Sequence, residues 1–421
     1  MFKKTILKNG LRIITVPMKG TKAVTVLVLV KVGSRNESKE TNGLSHFLEH
    51  MFFKGTKKRP NTVALIEPLD RVGGMYNAFT GKEQTGFWAK VNSENLDTAL
   101  DWVSDIFLNS KFDEKEIQKE KGVIIQEMKM YLDTPVVYLQ DVWEQLLYGD
   151  QPAGWLIIGE KENILRFQRQ DFLRYKKNNY LAQNTVICIA GDIDSEVVDK
   201  KVQSYFKGVK TKASTPKLKV IEKQKEPQVL IHSKKTDQTH LGLGVRAYSL
   251  FQPLRYAQVL LATILGGYMS SRLWISVRER RGLAYYVRTG SQSATDCGFL
   301  VTQAGVDHTK AESAIKIILR EYQKIKTRKV SKSELQKAKD NFRGAFSLSL
   351  ESSDSQAAFY AGRELLTDKI VSPDQQIALI EKVTAEDILK VANDIFQPNK
   401  LNLAIIGPFK DKEKFQKILK I

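Results

Sequence analysis

The sequence predicts an α+β protein of two homologous domains, each a mostly antiparallel sheet packed with helices. Three observations carry this expectation. Strand-like and helix-like segments mix without the strict alternation that builds a parallel sheet. A polar stretch with few aromatics, KGVKTKASTPKLKVIEKQKEP at 207–227, reads as a linker and divides the 421 residues almost in half. The two halves also end alike, in DFLRYKKNNYLAQNTVICIAG at 171–191 and DILKVANDIFQPNKLNLAIIG at 387–407. Each runs from Asp through an aromatic nine positions on to an apolar strand closing on Gly twenty positions on, as a helix, a turn and a terminal strand would after duplication. The expected division is a domain over 1–206, the linker 207–227, and a second domain over 228–421.

Within the first half, Asn9-Gly10 is a hairpin turn between two short strands at 5–17. AVTVLVLVKV, 23–32, is β-branched and continuous, as a buried strand is. A helix follows at about 43–55, and a second at 61–72 opens after Pro60-Asn61. Gly73-Gly74 turns the chain into two strands, around 75–80 and 84–91. Leu96, Leu100, Val103 and Phe107 recur at helical spacing over 94–109. Asp113, with Glu116 three residues on, caps a long helix that continues to about Tyr131.

Composition bounds the function. The apolar fraction of 42% and charged fraction of 27% are those of a folded soluble chain, and no apolar run is long enough to span a membrane. The net charge of +19 invites a nucleic-acid surface. The lysines, however, are scattered, and neither a basic helix with interleaved aromatics nor a zinc knuckle is present, so a solvated basic surface is the expectation and nucleic acid is not an expected partner. Cys188 and Cys297 cannot make a disulfide framework. The N-terminal stretch lacks the apolar core of a signal peptide. A cytoplasmic location follows as the expectation.

The chemistry concentrates in HFLEHMFFKGT, 46–56. On a helix His46 and His50 face one way and can offer two imidazoles to one ion, while Glu49 lies about 100° round from His50, within reach of water at an open ligand position. A histidine pair on a helix is often merely structural. Here histidine is scarce, with five in the chain, and two of them flank a glutamate on a helix otherwise made of Phe47, Leu48, Met51 and Phe52. Burying that polarity without purpose is costly. The helix after Asp113 carries Glu120 and Glu127, seven apart and on one face, as candidates for a third ligand.

HFLEH, then 76 residues, then Glu127 within EKGVIIQEM resembles the M16 metallopeptidases, whose zinc helix carries the inverted motif H-x-x-E-H. The resemblance runs along the whole chain, from LKNGLRIITVP through GGMYNAFTGKEQTGFW to a second half without the metal residues. It implies half of an M16-type clamshell. It implies His46, His50 and Glu127 as ligands of one Zn2+ per chain, Glu49 as general base, and Glu120 as a supporting carboxylate. It implies an edge strand at Asn77, Ala78 and Phe79 to which an extended peptide adds, a pocket lined by Phe53 and Phe79, and an Arg278/Tyr285 pair near the scissile carbonyl. With the zinc set and the Arg/Tyr pair on one chain, the implied assembly is a homodimer that cleaves unfolded peptides in a closed chamber. The alternative is a heterodimer with an inactive homologue, or a non-catalytic subunit of a larger assembly.

Overall fold

The computed structural model describes residues 2–212 and 216–421; of the expected linker, 213–215 lie outside the described residues. In chain order the elements are β1 (Lys3–Ile6), β2 (Arg12–Pro17), β3 (Ala23–Val30), α1 (Leu44–Phe52), α2 (Thr62–Asp70), β4 (Met75–Thr80), β5 (Thr85–Asn92), α3 (Leu96–Asn109) and α4 (Glu114–Leu132). The first half closes with α5 (Pro135–Tyr148), α6 (Lys161–Arg166), α7 (Arg169–Asn179), β6 (Thr185–Gly191) and α8 (Ser195–Tyr205). The second half holds β7 (Gln228–Ser233), β8 (Thr239–Arg246), α9 (Arg255–Gly266), a π-helical turn (Trp274–Glu279), β9 (Ala284–Ser293) and β10 (Gly298–Val306). It ends with α10 (Ala311–Thr327), α11 (Lys332–Ser349), α12 (Ser353–Thr367), α13 (Pro373–Glu381), α14 (Ala385–Ile395), β11 (Leu401–Gly407) and α15 (Lys412–Ile418).

Duplication shows in the strand orders. One sheet runs β1-β2-β6-β3-β5-β4, the other β7-β11-β8-β10-β9. Leaving out β1, the second order is the first with every strand replaced by its counterpart. In both, among the described residues, the single parallel pair joins β2 with β6 or β7 with β11, and the remaining pairs are antiparallel. The closing strands β6 and β11 are the repeated ends legible in the sequence.

The compact units depart from the contiguous division at 1–206 and 228–421. One unit comprises Met1–Met128, Leu156–Leu218 and Ser347–Val371; the other comprises Lys129–Trp155, Lys219–Phe346 and Ser372–Ile421. The reason lies in how each sheet covers its two faces. In the first unit, Ile14, Val16, Leu27, Leu29, Val186 and Cys188 are buried against Ala357, Tyr360, Ala361 and Leu365 of α12, a helix of the second half. In the second, Phe299, Val301, Ala404 and Ile406 are buried against Leu139, Val142, Trp143 and Leu147 of α5, a helix of the first half. Each sheet takes the helices of one face from its own half and the helix of the other from the opposite half. A buried face of several large apolar side chains stabilises by about 1.5–3 kcal/mol for each of them, which favours this exchange over leaving either face open.

The opposite face of the first sheet positions the site. Phe47 and Phe52 of α1 are fully buried, with ring centroids 4.8 Å from Phe172 of α7 and 4.6 Å from Phe87 of β5 respectively. This apolar stripe fixes the rotation of α1, so that His46, Glu49 and His50 face away from the core.

Candidate metal centre

The first turn of α1 is fixed from outside the helix. Glu37 is buried, and its carboxylate accepts from the backbone N–H of Gly43 at 2.9 Å, the backbone N–H of Ser45 at 2.6 Å and the Asn42 amide at 3.1 Å. A carboxylate there satisfies orphan N–H groups and complements the helix dipole. Burial nevertheless pushes the Glu37 carboxyl up to about 7, with the Ser45, Gly43 and Asn42 donors pulling the other way. Gly43 sits at φ 98°, and a Cβ there would come within 2.8 Å of the Ile158 carbonyl oxygen, so the approach to the helix admits only glycine.

His46, His50 and Glu127 each present one ligand atom within 4.8 Å of the others. Glu127 Oε2 lies 3.6 Å from His46 Nε2 and 3.4 Å from His50 Nε2. These separations are long for hydrogen bonds, and they match the roughly 3.4 Å between neighbouring ligands around a tetrahedral ion bound at about 2.0–2.2 Å. The donor set thus fits zinc. His50 is also oriented from behind: its Nδ1 lies 2.9 Å from Glu120 Oε1, which leaves Nε2 for the metal, and Lys54 pairs with the other Glu120 oxygen at 2.7 Å. Such a carboxylate–histidine arrangement fixes the ring of a metal ligand.

The electrostatics follow from burial and from these partners. Burial pushes His46 down to about 4, with the neighbouring His50 adding to the effect. Burial opposes charge on His50 as well, but its hydrogen bond with Glu120 and the close negative charge of Glu127 push it up to about 9. Glu120 resists burial and stays below the usual carboxylate range because His50 and Lys54 both donate to it. Burial raises Glu49, while a hydrogen bond from Thr80 Oγ1 to its Oε2 pulls it back.

The remaining expected residues fall in two places. Asn77, Ala78 and Phe79 lie on β4, the outer strand of the first sheet, and Asn77 Oδ1 accepts from the Ala78 backbone N–H at 2.9 Å. Phe53 packs near Trp102 of α3, as does Tyr76 of β4, with ring centroids 6.0 and 5.4 Å away. Phe79 alternates with Tyr76 and Thr80 along the strand and so points from the other face of β4, where its ring covers Gly86 closely enough to exclude a Cβ. The structure therefore does not place the two phenylalanines on one wall. In the second unit, Arg278 and Tyr285 do come together. The guanidinium lies 5.4 Å from the Tyr285 ring and 4.4 Å from that of Trp274, and it donates to the Tyr285 carbonyl.

Sequence reasoning missed Lys54, Thr80 and Glu37. Lys54 was accessible through its spacing four residues after His50. Thr80 ends the strand that carries Asn77, and alternation places it on the face of Ala78. Glu37 comes from an irregular loop, where no periodicity marks it.

A histidine pair with an intervening glutamate, on a helix facing a carboxylate helix, is the arrangement that the inverted-motif metallopeptidases carry. The profile described as Insulinase (Peptidase family M16) matches residues 12–159, and the one described as Peptidase M16 inactive domain matches residues 166–342. A Bacillus subtilis protein named "Uncharacterized zinc protease YmxG" is 35% identical over 97% of this chain and 98% of its own length. A Rickettsia felis protein named "Uncharacterized zinc protease" is likewise 35% identical, over 97% of this chain and 98% of its own. Among solved structures, a protease from Helicobacter pylori superposes with a TM-score of 0.90 at 25% identity, covering 97% of this chain and 99% of that one. A peptidase M16 inactive domain from Pseudomonas fluorescens shares the fold, with a TM-score of 0.89 at 16% identity over 98% and 99% of the two chains. The chain belongs to the M16 peptidase family.

Proposed function

We propose that the protein is a zinc-dependent endopeptidase acting on unfolded peptides. The observation that carries this reading is the convergence of His46, His50 and Glu127, with Glu49 held beside them. When bound, zinc would polarise the scissile carbonyl and make water more acidic. His46, His50 and Glu127 would hold it, one ion per chain. Glu49 accepts the proton of the attacking water and hands it to the leaving amine as the C–N bond breaks, so that one water is consumed per bond. Glu120 acts through His50. The outer strand β4 would offer backbone groups at Asn77–Phe79 to an extended peptide, and backbone pairing of that kind reads little of the peptide's sequence. Arg278 and Tyr285 offer donors suited to a carbonyl oxygen gaining charge.

Two further parts of the reading rest on the chain's composition. Both cysteines are free and buried, as suits a reducing cytoplasm. No helix among the described residues is long and apolar enough to cross a membrane. Because the zinc set and the Arg/Tyr pair occur on one chain, a homodimer that encloses the peptide needs no second kind of subunit.

The test is cleavage of a quenched fluorescent peptide library by wild type and Glu49→Gln, with zinc quantified in both. Equal zinc and a loss of about 100–10,000-fold in turnover for the variant is expected for a general base. Cleavage unaffected by the substitution would remove Glu49 from the chemistry.

A further inference from the structure

We infer that Thr80 is a positioning residue for Glu49, holding its carboxylate in the one orientation in which it can take a proton from water. The inference rests on the peptidase reading and extends it to a residue outside the metal motif. Thr80 closes β4, and its hydroxyl donates to Glu49 Oε2. A glutamate side chain has three rotatable bonds, and α1 fixes only its Cα. One oxygen tied to Thr80 leaves Oε1 for water and removes most of the remaining rotational freedom.

Both partners in this bond are anchored by one short segment, Gly33-Ser34-Arg35-Asn36-Glu37. On one side, Glu37 holds the first turn of α1 through Gly43 and Ser45. On the other, the segment grips the turn that follows Thr80. Ser34 N–H donates to the Gly81 carbonyl at 3.1 Å, Arg35 N–H donates to the Lys82 carbonyl at 2.9 Å, and the Arg35 guanidinium pairs with Glu83 at 2.9 Å. Gly33 lies so close to this turn that a Cβ would come within 2.2 Å of the Gly81 oxygen. Across the hairpin, Thr85 pairs with Thr80 and donates to the Val32 carbonyl at 2.8 Å. The spacing between the Thr80 hydroxyl and α1 is thus set by backbone contacts at both ends. Packing alone would ask only for the methyl of residue 80; the fixed hydroxyl is what a proton acceptor needs.

The experiment compares the full-length, zinc-loaded wild type with Thr80→Val and Thr80→Ser, reading kcat, KM and zinc content with a quenched fluorescent peptide. Valine keeps the shape and removes the donor, whereas serine keeps the donor. For Thr80→Val, kcat should fall about 10–100-fold, with KM within about threefold and zinc unchanged; Thr80→Ser should recover to within about threefold of wild type. A Thr80→Val enzyme within about twofold of wild-type kcat would overturn the inference. So would a serine variant as impaired as the valine one, or a valine variant that loses zinc, since either outcome makes the residue structural. These results leave the peptidase reading standing because wild type still cleaves. Zinc-loaded wild type without any cleavage would overturn that reading and the role of Thr80 with it.

Discussion

The two units share one strand order and differ in what their equivalent helices carry. After the buried strand β3 comes α1, with His46, Glu49 and His50 on its outer face. After β8 comes α9, RYAQVLLATILG, whose Ala257, Leu260, Leu261, Ile264 and Leu265 are buried and which has no ligand-type side chain. The next comparison is closer still. Helix α4 contains EIQKEK at 116–121, and α11 contains ELQKAK at 334–339. Ala338 stands where Glu120 stands, and seven residues on, Ala345 stands where Glu127 stands. Both helices keep the apolar and basic positions that dock them; only one keeps the carboxylates. The apolar pattern specifies the fold in both units, and a handful of polar residues specifies the site in one of them.

Making the first unit resemble the second should therefore remove its chemistry and leave its sheet. The largest effect is expected from Glu127→Ala, the residue of the second unit. With two imidazoles left, zinc in the purified protein should fall to background and cleavage should vanish with it. Retained secondary structure by circular dichroism would confirm that the fold survives.

Glu120→Ala, the matching change one step back from the metal, should act more weakly. His50 keeps its Nε2 but loses the carboxylate that orients its ring, so zinc affinity measured against a competing chelator should fall about 10–100-fold. Unchanged affinity would show that Lys54 and Glu120 form a surface pair with no bearing on the metal.

The smallest effect sharpens the comparison at the base of α1. The folded state holds a proton on Glu37 up to about 7, against 4.5 for an ordinary glutamate. Its contribution to stability is therefore full below the lower value and is lost as pH rises through the higher one. Unfolding of metal-free wild type should lose on the order of 1–3 kcal/mol more than Glu37→Gln between about pH 5 and about pH 8. Parallel pH curves for the two proteins would show that Glu37 is ionised throughout.

Much of this was legible in the sequence, for reasons that can be named. HFLEH was readable because helical spacing alone aligns its two imidazoles, and the strand and helix limits as far as α4 followed from apolar periodicity and turn residues. The repeated ends at β6 and β11 marked the duplication. The exchange of α5 and α12 was not readable, because an amphipathic helix announces that it needs a sheet and not which sheet it covers. The face taken by Phe79 was missed for a related reason. Alternation along β4 separates it from Thr80, whereas the family resemblance had grouped it with Phe53. Glu37 escaped because it sits in an irregular loop that no periodicity marks, and Thr80 because its partner Glu49 is 31 residues away, so that only the folded chain brings it to α1.

The most direct measurement is zinc content, by mass spectrometry of the intact protein under native conditions, of wild type and Glu127→Ala purified alike with zinc supplied. The expected result is one zinc per wild-type chain and none in the variant. Zinc retained by Glu127→Ala at the wild-type level would contradict the assignment of His46, His50 and Glu127 as the metal centre.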